Sequence, residues 1–149
     1  MEPSIYLFFD GCCEEAMRHY ALVLGGTITG VVRNADAPTP QDRMPGGDAL
    51  VMNLGLQLGR SLVMASDCPP GMYGKPQGFA VCISPASLAE FDRIFAALAE
   101  SAREVGMAPA ETFWAERFAM FTDRFGTPWM LNFGGAKDAA AAQPASDHA

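Results

Sequence analysis

The chain has 149 residues, half of them hydrophobic, and a net charge of −7 at pH 7. That length supports one domain with a real core, and an acidic balance without any Lys/Arg run argues against a nucleic-acid phosphate track. No apolar stretch approaches the length of a bilayer span, and the N-terminus lacks the basic start and long apolar run of a signal peptide. A cytoplasmic protein without membrane contact is the expectation.

In chain order, Tyr6-Leu7-Phe8-Phe9 reads as an apolar strand, followed by an Asp10-Gly11 turn and a helix over about Cys12–Leu24. Asp10 is placed to cap that helix, Glu14 and Glu15 suit its positive end, and Gly25-Gly26 provide a left-handed stop. Cys13, Met17, Tyr20, Ala21 and Leu24 form its apolar stripe at helical spacing. Thr27–Val32 alternates as a strand, and Asn34–Asp48 is a long polar loop rich in Pro and Gly, suited to a lid, a site rim or disorder. Ala49–Leu58 reads as a longer strand with Leu54, Leu56 and Leu58 on one face. A two-residue turn, Gly59-Arg60, joins it to a short apolar strand over Ser61–Ala65.

After a second Pro/Gly-rich stretch, Asp67–Gly78, the pattern starts again. Phe79–Ile83 is a strand, Ser84 a cap with Pro85 in the first turn, and Ala86–Ser101 a helix whose stripe is Leu88, Phe91, Phe95 and Leu98. Ala115–Thr122 and Thr127–Phe133 are strands around Asp123–Gly126, and from about Ala136 the chain is an Ala-rich tail. Gly59-Arg-Ser-Leu62-Val63-Met64 and Gly126-Thr-Pro-Trp129-Met130-Leu131 correspond, each a Gly turn entering a buried strand. Each half therefore spells strand–helix–strand–strand–strand. The expectation is an α+β fold of two tandem βαβββ modules, about 4–66 and 78–134, within one domain over 1–135. Residues 136–149 are expected to be a flexible tail.

Four stretches carry a family resemblance: Tyr6-Leu-Phe-Phe-Asp-Gly with Glu14-Glu-Ala-Met-Arg-His-Tyr20; Met64-Ala-Ser-Asp67; Glu111-Thr-Phe-Trp-Ala115; and Thr122-Asp-Arg-Phe-Gly-Thr-Pro-Trp-Met-Leu-Asn132. Over residues 4–134 the chain resembles the vicinal oxygen chelate superfamily of glyoxalase I, ring-cleaving dioxygenases and bleomycin-resistance proteins, most closely its PhnB-like branch. The resemblance implies curved sheets around a cavity (the glyoxalase-like fold), often completed by a dimer partner, so a homodimer is expected. Some members of the branch are labelled ubiquinone methyltransferases, but no Gly-rich loop opens a helix here to hold S-adenosylmethionine.

Chelating members place a His, Glu or Gln on the first and last strand of each module. Carried over strand by strand, those positions fall at about Ile5 (beside Tyr6 and Leu7), at Val63 or Met64, at Phe79, and at Met130 or Leu131. Hydrocarbon and thioether groups cannot replace a divalent ion's hydration shell. The chain holds two histidines, His19 on the first helix, read as solvated rather than as a general base, and His148 in the tail. No metal and no cofactor are expected, and metal-dependent chemistry would lose its Lewis acid.

The remaining candidates have two readings each. Cys12-Cys13 at a helix N-terminus is either a reactive thiolate or a buried small hydrophobe. With Cys68 and Cys82, the latter in a strand expected to be buried, the cysteines form no CxxC pattern and are read as reduced. Asp67 either lines a cavity mouth or starts the Pro69-Pro70-Gly71 turn. Asn53 stands where relatives often carry His, which weakens a general base there. Phe113, Trp114, Phe118 and Trp129 are either core and interface or a ligand-stacking set. Glu116 is the better of Glu116 and Arg117 for a polar ligand contact. The expected cavity set is Asn53, Met64, Asp67, Phe79, Trp114, Glu116, Phe118 and Met130, binding a small apolar or aromatic molecule. Two alternatives stand beside it. One is a metal-independent enzyme using Asp67, Glu116 or Cys12/Cys13, and the other a dimerising interaction module.

Overall fold

Strict alternation in Tyr6–Phe9 sends Leu7 and Phe9 to one side of a strand and Tyr6 and Phe8 to the other, and that division organises the first half of the molecule. The computed structural model describes residues 1–138, and the chain divides into two units, Met1–Lys75 and Pro76 onward. Unit one consists of β1 (Ile5–Phe9), α1 (Cys13–Leu24), β2 (Thr27–Arg33), β3 (Val51–Leu58) and β4 (Ser61–Asp67). Its sheet has the order β1-β4-β3-β2, with β1 parallel to β4 and the other pairs antiparallel.

Unit two repeats that plan with β5 (Val81–Ile83), α2 (Leu88–Leu98), β6 (Glu104–Ala110), β7 (Arg117–Thr122) and β8 (Pro128–Phe133), in the order β5-β8-β7-β6. Each unit is thus one βαβββ module, the glyoxalase-like arrangement expected from the duplicated pattern. Among the described residues no helix is long and apolar enough to cross a membrane.

One face of each sheet is buried with the helix of its own unit. In unit one, Leu7, Phe9, Leu54, Leu56, Val63 and Ala65 share that core with Cys13, Ala16, Met17, Tyr20 and Val23 of α1. In unit two, Val81, Ala119, Phe121, Trp129 and Leu131 share it with Phe91, Ile94 and Leu98 of α2. Each fully buried large side chain contributes roughly 1.5–3 kcal/mol from its area alone.

The expected helix stop is present: Gly25 adopts the left-handed conformation at φ 73° and its N–H bonds the carbonyl of Ala21. Gly26 is needed for a different reason. A Cβ there would lie 2.5 Å from Leu58 Cδ2 and 2.8 Å from the Gln57 carbonyl oxygen, and the second atom is backbone and cannot swing away. Gly26→Ala is expected to cost about 1–3 kcal/mol by overpacking, read as a fall in the midpoint of urea unfolding with unchanged slope.

Several local expectations are corrected. Asp10 does not cap α1; the N-cap is Cys12, which makes no side-chain cap bond. Ser84 does not cap α2 either, because Ser87 does: its Oγ accepts from Glu90 N at 3.1 Å while the Glu90 carboxylate accepts from Ala86 N. Glu90 thus reaches one residue past the N-cap instead of closing a capping box, and the Ser87 cap starts the helix two residues later than expected. Cys82 is exposed on β5, since alternation turns it away from the helix that covers Val81. Phe79 lies ahead of β5 rather than in it. Gly135–Lys137 form a 3-10 turn, so order extends past residue 136, and His148 with the rest of 139–149 lies outside the described residues.

Glu14 ties α1 to the end of β2 by accepting from both Arg18 and Arg33. Hydrogen bonds from these two guanidiniums hold its carboxyl below the usual range. A depressed folded-state value means the stabilisation is present above the ordinary Glu range and fades as pH falls through the folded value. Glu14→Gln is therefore expected to lower the melting temperature slightly at pH 7 and to leave the two proteins indistinguishable in strong acid.

Candidate functional site

The faces left uncovered by the helices carry the remaining apolar groups. In unit one, register places Tyr6 beside Met64 and Met64 beside Gly55, while Asn53 pairs with Val32. Tyr6, Phe8, Leu62 and Val32 are large apolar side chains left accessible on that face, and the Tyr6 and Phe8 rings are 4.9 Å apart. Register puts Met64 and Asn53 on this sheet face too.

In unit two, Cys82 pairs with Met130 and Met130 with Met120. A cavity of about 170 Å³ opens at one end of the sheet, lined by Phe79, Ala80, Glu104, Gly106, Met120, Phe121, Thr122, Pro128 and Trp129. Burial of Phe121 and Trp129 turns their rings to the helix side, so alternation gives Met120, Thr122 and Pro128 to the cavity side. Phe79, half exposed, stands at its rim.

Three of the expected cavity groups are engaged elsewhere. Asp67, only 4% exposed, closes β4 on the helix side. Its Oδ1 accepts from Cys13 N at 2.9 Å and its Oδ2 from Val51 N at 2.8 Å. It caps α1 from across the fold, so it serves neither a cavity mouth nor the Pro-Pro-Gly turn as its main task. The Glu116 carboxylate lies against Gly135 and accepts from Ala136 N, while Lys137 holds Glu111 and the Thr112 carbonyl. Together these clamp the 111–116 loop to the C-terminal turn. Phe118 is buried under Trp114, the two rings 5.3 Å apart in an edge contact. Trp114 in turn meets Phe113, which is 90% exposed.

Three of the four thiols are poorly placed for nucleophilic work. Cys13 is fully buried, and burial first, then the charge of Asp67, pushes its thiol far above the ordinary range. Burial also raises Cys68 and Cys82, with Asp10 and Asp67 adding to the effect at Cys68.

The positions that the superfamily uses for a divalent ion can be tested on side-chain chemistry. Ile5 pairs with Val63 and Tyr6 with Met64, while Phe79 lies ahead of β5 and Met130 and Leu131 pair with Cys82 and Ile83, so the candidate positions themselves carry hydrocarbon, phenol or thioether groups. Among the described residues no three His, Cys, Asp or Glu groups are placed to hold a metal. This donor set does not fit a hard or borderline divalent cation.

Sequence reasoning missed Met120, Glu104, Thr122 and Pro128 as cavity walls. Alternation in Arg117–Thr122 carried the signal for Met120. Nothing marked Glu104–Ala110 as a strand, because Gly106, Pro109 and two alanines interrupt any β-branched alternation. Asn34 was also missed. Its buried amide donates to the carbonyls of Met44 and Gly47 and accepts from Met44 N, pinning the 34–50 loop into a fixed shape. Asn34→Ala removes three bonds and is expected to cost about 1–3 kcal/mol, with hydrogen exchange at Met44 accelerating well before global unfolding.

No family model matches the chain. Protein YjdN of Escherichia coli strain K12 is 32% identical over 140 residues, which cover 89% of this chain and 95% of that protein. The solved structure of PA1353 from Pseudomonas aeruginosa superposes with a TM-score of 0.78 at 38% identity, covering 89% of this chain and 97% of that one. A PhnB protein from Bacillus cereus matches in fold, with a TM-score of 0.77 at 21% identity over 89% of this chain and 99% of its own. Identity of 32% to YjdN and 38% to PA1353 across nearly the whole length makes the chain a member of their family, and its pair of βαβββ modules has the fold of the PhnB protein.

Proposed function

We propose that this PhnB-like protein binds a small apolar or aromatic molecule without a metal, in the cavity of module two. The observation that carries the reading is the cavity of about 170 Å³ walled by Phe79, Met120 and Pro128, with Glu104 and Thr122 as its polar edge. Apolar walls with a few polar groups are the usual make-up of a small-molecule site. The apolar residues at the family's metal positions favour binding by burial over Lewis-acid chemistry. Engagement of Asp67, Glu116 and Cys13 in framework contacts weighs against the enzyme alternative, which then rests on Cys12.

The test is titration with benzyl alcohol, followed by amide chemical shifts and by melting temperature with and without a chelator. Saturable shifts at Ala80, Met120, Thr122 and Trp129 are expected, insensitive to the chelator and lost in Met120→Glu, whose side chain starts exposed. Absence of saturation, or a requirement for divalent ion, would sink the reading.

The accessible Tyr6, Phe8 and Leu62 and the projecting Phe113–Trp114 pair favour a second role, self-association into a homodimer. Large exposed apolar groups in clusters mark interaction surfaces. Light scattering after size exclusion is expected to give twice the chain mass, falling to the single mass in Phe8→Glu. A single mass for the unmodified chain at high concentration would remove this role.

A further inference from the structure

We propose that unit one carries a second binding site, between the N-terminal segment and the β3–β4 hairpin, for a small zwitterion of the α-amino-acid type. A cavity of about 230 Å³ lies there, lined by Glu2, Pro3, Ser4, Ile5, Arg60, Ser61, Leu62 and Val63. Its walls offer one guanidinium, one carboxylate and two hydroxyls beside a short apolar surface.

Arg60 is the informative residue. Every other arginine of the chain has a partner: Arg18 and Arg33 hold Glu14, Arg43 holds Asp48, Arg117 holds Asp92, Arg103 donates to the Arg124 carbonyl, and Arg93 is engaged as well. Arg60 alone makes no hydrogen bond, ion pair or ring contact among the described residues.

The corresponding turn of module two is longer, sets Thr127 rather than an arginine against Arg60, and carries its own arginine nearby. That residue, Arg124, lies in the turn between β7 and β8. There it pairs with Glu100 at 3.6 Å and lies over the Phe125 ring at 4.6 Å. One copy of the turn has its arginine engaged by its own unit. The other leaves it on a cavity wall, at the end of a two-residue turn braced by a 2.9 Å bond from Gln57 Nε2 to the Gly59 carbonyl.

The ligand class follows from what these walls can satisfy. A guanidinium presents a planar fork that matches a carboxylate. Glu2, unpaired in the described residues, suits an ammonium group, and its charge disfavours a simple anion. The Ser4 and Ser61 hydroxyls donate or accept as needed. Pro3, Ile5 and Leu62 provide an apolar flank for a short branched side chain. Both charged groups are exposed, so the affinity is weak and salt-sensitive.

The experiment compares L-leucine with 4-methylpentanoate, which lacks the ammonium, and 3-methylbutylamine, which lacks the carboxylate. Binding is read from amide shifts at Ser4, Ile5, Ser61 and Leu62. Leucine is expected to saturate at lower concentration than either analogue. Arg60→Met is expected to weaken leucine by about tenfold, the scale of a lost charge-assisted pair. Glu2→Gln should bring leucine down to the level of 4-methylpentanoate. Both substitutions are at exposed positions, and an unchanged melting temperature checks that they fold. Equal binding of leucine and 4-methylpentanoate, no saturation by leucine, or leucine shifts that persist in Arg60→Met would each overturn the assignment.

Discussion

Asp123→Ala is expected to lower the melting temperature by about 6–20 °C and to shift the tryptophan emission to the red. Asp123 is 1% exposed and accepts three hydrogen bonds: from Phe125 N and Thr127 N on Oδ1, each 2.9 Å, and from Trp129 Nε1 on Oδ2 at 2.8 Å. Alanine removes the acceptor that two backbone donors and an indole N–H use, and the loss of these three bonds is expected to cost about 3–5 kcal/mol. For a chain of this size each kcal/mol moves the midpoint by about 2–4 °C. The emission change reports chiefly on Trp129, because Trp114, the other indole, is already partly exposed. Asp123→Asn sharpens the test. Its oxygen can keep the two turn amides, but its amide nitrogen then faces the indole N–H, donor against donor. About half the loss is expected, with the indole proton resonance displaced. A melting temperature within a degree or two of the parent would show that the carboxylate does not hold the turn.

The second large effect is expected at Asp67. Its two oxygens serve the first amide of α1 and the first amide of β3. Asp67→Ala should cost about 2–5 kcal/mol, since both donors stay buried. Hydrogen exchange separates this from general loosening: the Cys13 and Val51 amides should lose protection by more than their neighbours do. Asp67→Asn keeps one acceptor and should fall between. If Cys13 N stays protected in the alanine protein, another group caps the helix and this account fails.

These two aspartates show why a carboxylate near a turn is hard to interpret from sequence. Asp67, before Pro69-Pro70-Gly71, and Asp123, within Asp-Arg-Phe-Gly, look like surface turn formers. Both are buried and saturated by N–H groups, one of them supplied from 54 residues away. Glu116 is half-buried and is likewise engaged, by the turn that begins at Gly135. Part of the expected site is therefore framework, and the walls of the module-two cavity come from Met120, Glu104 and Pro128 instead.

Much was legible without coordinates. Period-two alternation in Tyr6–Phe9 and Val51–Leu58, period 3.6 in both helices, and the Gly59-Arg60 turn determined the paired βαβββ plan, because these signals act over a few residues. Apolar residues at the family's metal positions were equally plain. Tertiary structure alone decided which polar groups remain available for chemistry. A capping amide, a buried indole N–H or a loop carbonyl competes for each carboxylate and guanidinium across tens of residues, and burial makes leaving any of them unmatched costly. That competition placed Asp67 and Asp123 in the framework, Arg124 on Glu100 and Phe125, and Arg60 on an open cavity wall.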